Sequence, residues 1–304
     1  METVIQINHL SKAYKGIEIV SDVTMHIEKG EIYGFLGPNG AGKTTIMKMI
    51  LNLVKPTSGE IVVLNQPVTQ TSFQYLQHIG SIIEYPVFYD RITALENLKY
   101  HCEYTQYHGE DRILEVLETV GLQGVGNKKV HEFSLGMKQR LGIARAILTK
   151  PQILILDEPI NGLDPVGIKD IRMLLLELKN DYGMTILVSS HIVSEIESIA
   201  DTIGIINHGQ LIKEVKMSEI RSENAQYLEI KVTDSKKASL VLERKLNIHD
   251  YEAIDPETIR VYQQDVSQSV INKELVLNDI LVNRIETRQS NLEEYFLKLI
   301  HGGE

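Results

Sequence analysis

Residues Gly37-Pro38-Asn39-Gly40-Ala41-Gly42-Lys43-Thr44 constrain this chain more than any other stretch. They follow an apolar run, Ile32-Tyr33-Gly34-Phe35-Leu36, and open a helical pattern from Ile46 to Leu53. Strand, glycine loop, helix is the setting in which this spacing binds phosphate. Glycines tolerate positive φ and carry no Cβ, so successive backbone N–H groups can converge on an anion. A helix beginning near Lys43 adds the partly positive end of its dipole to the Lys43 ammonium. Thr44 then offers a hydroxyl to the magnesium ion that travels with a nucleoside triphosphate. A plain glycine-rich surface turn has no need of Lys43-Thr44 at the mouth of a helix.

A chain of 304 residues has room for two domains. No apolar run approaches the roughly 18 residues that would span a bilayer, and Met1 to Lys12 holds no apolar signal core. The expectation is a protein that stays in the cytosol. Cys102 is the single cysteine, which excludes an internal disulfide and a multi-cysteine metal site. The formal charge of −10 argues against a dedicated nucleic-acid binder, which displays a basic excess.

Val4 to Leu10 and Ile17 to Ile27 read as strands, turned at Lys15-Gly16, with Tyr14 just before the turn where its ring could stack on a purine. After the loop helix, Lys55-Pro56-Thr57-Ser58-Gly59 breaks the chain, and Glu60 to Leu64 resumes a strand. A helical pattern from Thr71 gives way to an apolar strand, Ile79 to Ile83. Thr93-Ala94-Leu95-Glu96 carries a capping box, and Ile113, Val116, Leu117 and Val120 keep helical spacing. Ser134 is placed to cap an amphipathic helix that runs to Lys150. Ile153 to Leu156 reads as a strand buried on both faces, so Asp157-Glu158 emerges at its carboxyl end. A helix to Leu178, a strand from Thr185 to Val188, a helix from Ile192 to Ala200 and a hairpin around His208-Gly209 follow.

The set Gly37 to Thr44, Ser134 to Gln139, Ile153 to Glu158, Asn161 to Asp164 and His191, in this order, resembles the ATP-binding subunit of an ABC transporter over about residues 4 to 215. That resemblance implies an α/β fold: a P-loop NTPase core with a mixed sheet and a helical insertion at about 85–150. It implies an ATPase that uses ATP and Mg2+, with Gly37, Pro38, Asn39, Gly40, Ala41, Gly42, Lys43, Thr44 and Thr45 around the phosphates. Tyr14 resembles the residue that stacks on adenine, while Thr44 and Asp157 would hold the metal directly or through water. Glu158 resembles the catalytic base and His191 the switch that touches the γ-phosphate. Ser134 and Gly136 resemble the signature that completes the opposite subunit's site, and Asp164, in the turn after the acids, is counted with them among the nucleotide-binding residues. The implied partners are a second ATPase subunit, head to tail and of the same chain, and a separate integral-membrane permease. No nucleic acid is expected, and the location is the inner face of the cell membrane, reached through the permease.

Two positions depart from the family pattern. Leu135 and Met137 stand where a glycine and a polar residue are common, and Glu84 stands where most members carry a metal-sensing glutamine. Glu84 is therefore counted among both the catalytic and the metal-associated candidates, as the residue that tunes coupling to the membrane partner. With the style of Ser134 to Arg140, it resembles exporters that protect bacteria against lantibiotics and bacitracin-like peptides. The rival reading is a non-transport ATPase of the same superfamily acting on ribosomes or DNA. Such proteins carry paired halves or long coiled coils, whereas this chain has one phosphate loop and no sustained heptads.

Past residue 219 the order strand, helix, strand, strand, helix, strand predicts a small α+β ferredoxin-like domain over 220–304. It carries no phosphate loop. An amphipathic helix is expected from Asn291.

Overall fold

The stretches that are apolar at every position become strands covered on both faces. Ile32–Leu36 (β3) and Ile153–Leu156 (β7) are wholly buried, as is Thr185–Ser190 (β8). They form the middle of a six-stranded sheet with Ile79–Ile82 (β6), Thr202–Asn207 (β9) and Gln210–Lys216 (β10), in the order β10-β9-β3-β8-β7-β6. All neighbours run parallel except β10, the second arm of the hairpin at His208-Gly209.

Alternating residues build a second, antiparallel sheet from Thr3–Tyr14 (β1), Ile17–Glu28 (β2), Ser58–Val63 (β4) and Gln66–Pro67 (β5), in the order β2-β1-β4-β5. Helix α1 (Lys43–Ile50) buries Ile46, Met47, Met49 and Ile50 in a core shared with both sheets. The first strand outruns its expected end at Leu10 because irregular registers after Ile7 and Leu10 let it bend and go on pairing as far as Tyr14.

Between β6 and β7 lies the insertion: α2 (Ala94–Thr105), α3 (Arg112–Thr119) and α4 (Leu135–Ile147). The Thr93 box forms in full, with Glu96 N–H donating to Thr93 Oγ1 at 3.1 Å and Thr93 N–H donating to Glu96 Oε2 at 2.7 Å. That backbone donation holds the Glu96 carboxyl below the usual range. Ser134 caps α4 as expected, accepting from Met137 N–H at 3.2 Å.

Two helical expectations are corrected. From Thr71 the only helix is a 3₁₀ turn, Gln74–His78, because Ser72 is tied back to Thr69 N–H at 2.6 Å and to the Pro67 carbonyl at 3.0 Å. Instead of running from Ile192 to Ala200, helix α6 covers Val193–Glu197 only; α5 (Pro165–Asn180) precedes it. Asp201 is pulled onto β3 at Ile32, accepting Ile32 N–H at 2.8 Å and donating its own N–H to the Ile32 carbonyl at 2.8 Å, which ends the helical run.

The computed structural model describes residues 2–109, 111–223, 226–263 and 266–289, so the helix expected from Asn291 lies outside the described residues. The chain divides into two units, Met1–Met217 and Ser218–Glu304, at the start of α7 (Met217–Glu223). The second unit holds β11 (Gln226–Val232), α8 (Ser235–Leu246), β12 (Tyr251–Asp255), β13 (Thr258–Val261), α9 (Gln268–Leu277) and β14 (Val282–Gln289). Its strands are antiparallel in the order β12-β13-β11-β14, the ferredoxin-like arrangement. Ile230, Val232, Ile259 and Val261 pack with Ala238, Leu242, Ile271 and Leu275 of the two helices.

Candidate nucleotide site

The carboxyl ends of β3, β7 and β8 meet at one edge of the sheet, where ligands gather in open α/β folds. Chain order places β3 far before β7 and β8. Sheet order puts β8 between the other two, so the residues ending β8 stand between the glycine loop and the acid pair.

The loop is shaped by backbone space as much as by charge. Gly42 has φ +108° and caps α1 with no side-chain hydrogen bond, so the first-turn N–H groups orphaned by helix geometry face a ligand unblocked. A Cβ on Gly37 would run into the Ile206 carbonyl oxygen. Lys43 is 5% exposed, and its ammonium donates to Gly37 O at 2.6 Å and Pro38 O at 3.2 Å while lying 3.3 Å from Glu158 Oε1. An ammonium has three donors, so all three are engaged.

Asp157, 2% exposed, accepts from Thr44 Oγ1 at 2.8 Å and from Ser189 Oγ at 2.7 Å. The same Ser189 hydroxyl accepts Glu158 N–H at 2.9 Å, fixing Glu158 at φ +49°, a backbone seldom taken by residues with a Cβ. Glu158 Oε2 lies 2.6 Å from His191 Nδ1. An ionised carboxylate only accepts, so Nδ1 carries the proton in this contact. Ser190 Oγ accepts Ile192 N–H at 3.0 Å and donates to Glu195 Oε2 at 3.0 Å, stapling the turn that carries His191. Burial pushes the Glu195 carboxyl above the usual carboxylate range, against the Ser190 hydrogen bond and the nearby His191.

Lys43, Thr44, Asp157, Glu158 and His191 thus form one connected network. The remaining candidates lie apart from it. Tyr14 ends β1 and is 43% exposed, with Lys12 Nζ 4.7 Å from its ring centroid. Asp164 caps α5, accepting Gly167 N–H at 2.8 Å. Ser134 and Gly136 sit at the start of α4. Leu135 beside them lies over the turn after the acids, where a Cβ on Gly162 would come within 3.2 Å of its side chain; a bare glycine there admits the leucine. The Glu84 carboxylate is held by Lys48 Nζ at 2.6 Å.

Sequence reading missed Ser189, Ser190, Glu195 and Lys48. Its one available signal was the pair of serines ending an apolar strand directly before His191.

The donors suit a hard divalent cation. Thr44 and Asp157 present oxygen at the loop, and no group of three or more His, Cys, Asp or Glu side chains able to hold a metal occurs among the described residues. One carboxylate with a hydroxyl, completed by phosphate and water, is how Mg2+ is held beside a nucleotide.

A bare helix end in a glycine loop, faced by an acid pair across a shared serine, is the site of a P-loop nucleoside triphosphatase. Residues 20–161 match the ABC transporter family. The chain is 55% identical over 302 residues to the "Uncharacterized ABC transporter ATP-binding protein YcbN" of Bacillus subtilis (strain 168), covering 99% of this chain and 98% of that one. It is 46% identical to the bacitracin transport ATP-binding protein BcrA of Bacillus licheniformis, covering 100% and 99% of the two chains. Among solved structures, the dimeric bacterial ABC transporter cassette MJ0796 aligns with a TM-score of 0.63 at 28% identity, over 70% of this chain and 98% of that one. The chain belongs to the ATP-binding proteins of ABC transporters, and its enzymatic activity is ATP hydrolysis. No described helix is long and apolar enough to cross a membrane.

Proposed function

We propose that this chain is the ATPase subunit of an exporter that removes bacitracin-like peptides from the cell envelope. The single observation behind the choice of cargo is the 46% identity to BcrA across the whole of both chains, the second unit included. In this reading residues 1–219 form the ATP-binding domain and 220–304 an accessory domain, and two copies pair head to tail. The protein is cytoplasmic and joins the membrane through a separate permease. The permease contact follows Glu84, where Tyr85, Val87, Tyr89, Tyr100 and Tyr104 are exposed and a cleft of ≈ 730 Å³ opens beside Ile92 and Glu103. Exposed apolar surface of this kind marks interaction sites.

Within the site, the loop backbone from Gly37 to Thr45 and the α1 terminus hold the phosphates, and the Lys43 ammonium turns from Glu158 to the β- and γ-phosphates when ATP enters. Tyr14 stacks on adenine through the face not covered by Lys12. Thr44 and Asp157 would hold a magnesium ion, which would supply positive charge at the phosphate oxygens. Glu158, set in place by Ser189, accepts hydrogen from the attacking water, and His191 steadies the Glu158 carboxylate and reaches the γ-phosphate. Positioning and electrostatics supply most of the rate in such transfers. Ser134 and Gly136 present the second helix end, α4, to nucleotide held by the partner, with Asp164 anchoring the intervening loop.

Replacing chromosomal Lys43 by Ala tests the reading. Bacitracin sensitivity should rise to that of a strain lacking the whole protein, with the variant still recovered in the membrane fraction through its permease. Full resistance in the Lys43→Ala strain would exclude a role in bacitracin export.

A further inference from the structure

Lys48 lies four residues beyond Thr44 on α1, so the two side chains leave the same face of the helix one turn apart. Opposite them, Ile82 of β6 is in register with Leu156 of β7, and Asp157 N–H donates to the Ile82 carbonyl at 2.9 Å. The chain leaving β6 therefore runs beside the acid pair. Two residues on, Glu84 adopts φ +63°, and its Oε1 accepts from Lys48 Nζ at 2.6 Å.

From this geometry we infer that Lys48 is a positioning residue for Glu84: it holds the carboxylate against α1, one turn from Thr44, and cancels its charge at the edge of the phosphate site. The inference rests on reading the loop as a site for ATP with a divalent cation. A glutamine at position 84 would be neutral and need no counter-charge. A carboxylate beside a bound triphosphate repels it and competes for the cation. The pair is too exposed to matter for folding, with the Glu84 side chain 60% and the Lys48 side chain 31% accessible. Its consequence is where the negative charge sits. Lys48 thereby sets how strongly nucleotide binding depends on metal, a property that the loop, Thr44 and Asp157 alone do not fix.

The test is the affinity for the fluorescent analogue TNP-ATP, measured on full-length protein once in EDTA and once in saturating Mg2+. The ratio of the two dissociation constants is the readout. General damage to folding weakens both affinities and cancels in the ratio. Lys48→Gln should raise the ratio about two- to fivefold, the range expected for one partly exposed charge pair, because the released Glu84 carboxylate repels metal-free nucleotide. Lys48→Arg should keep the wild-type ratio. In a Glu84→Gln background, Lys48→Gln should raise the ratio less, because only the lysine's own charge is lost there. An equal rise in both backgrounds, or no rise in either, would overturn the inference. Failure of the wild-type protein to take up TNP-ATP would instead overturn the nucleotide reading beneath it.

Discussion

Ser189 is the residue whose loss the structure makes most informative. Its hydroxyl is fully buried and makes two contacts, donating to Asp157 Oδ1 at 2.7 Å and accepting Glu158 N–H at 2.9 Å. Ser189→Ala removes a hydrogen bond to a charged acceptor, worth about 1.5–3 kcal/mol, and orphans a backbone donor, which costs about 1–3 kcal/mol. One hydroxyl serves both contacts, so the terms overlap and the net loss is about 2–4 kcal/mol. With a urea dependence of about 1–3 kcal/mol/M, the unfolding midpoint of the ATPase unit should fall by about 0.7 M or more at unchanged slope. Glu158, no longer pinned at its left-handed backbone, should drift from the attacking water, and a misplacement near 1 Å costs about 10²-fold in rate. Phosphate release should therefore drop by about one to two orders of magnitude while TNP-ATP still binds, since Lys43 and the glycine loop are untouched. A midpoint within about 0.2 M of wild type together with full turnover would refute the bridging role, because among the described residues no other side chain bonds both Asp157 and the Glu158 backbone.

Two other perturbations follow from the same network. Glu158→Gln should cut turnover by about 10²- to 10⁴-fold and, by freeing Lys43 from its ion pair, bind ATP at least as tightly; light scattering with Mg-ATP should show the mass double, and persistent monomers would argue against the head-to-tail pair. Glu195 gives a pH signature. Burial raises its carboxyl in the folded protein, so the folded state holds the proton more tightly than the unfolded one, and stability falls as pH rises from 4.5 through the folded value. Glu195→Gln keeps an acceptor for Ser190 but removes the titration, so the melting temperature should decline less between pH 4.5 and neutrality than in wild type; an identical decline would show that Glu195 does not cause it.

How far the sequence could be read depended on whether a feature was local. Thr93-Ala94-Leu95-Glu96 and Ser134 announce their helix starts because a cap needs only the residues of one turn. The wholly apolar Ile153 to Leu156 and its acids read correctly because a strand covered on both faces leaves no polar alternation. The helix expected from Ile192 to Ala200 was overrun by a contact out of sight in sequence, the pairing of Asp201 with Ile32. The helix expected after Thr71 gave way to short-range hydroxyl bonds at Ser72, which compete with helical ones.

By itself the chain determined the phosphate loop, the acid pair, the Ser134-capped helix and the two-unit plan, since each is written in contiguous residues obeying one period or one turn. Only the tertiary structure decided what those parts touch. By seating β8 between β3 and β7, it turned Ser189 into the bridge between the Asp157 carboxylate and the Glu158 backbone N–H. By bringing the residues that follow β6 beside α1, it gave Glu84 a lysine, because strand order in a sheet is chosen by burial among distant segments and leaves no mark on neighbouring residues.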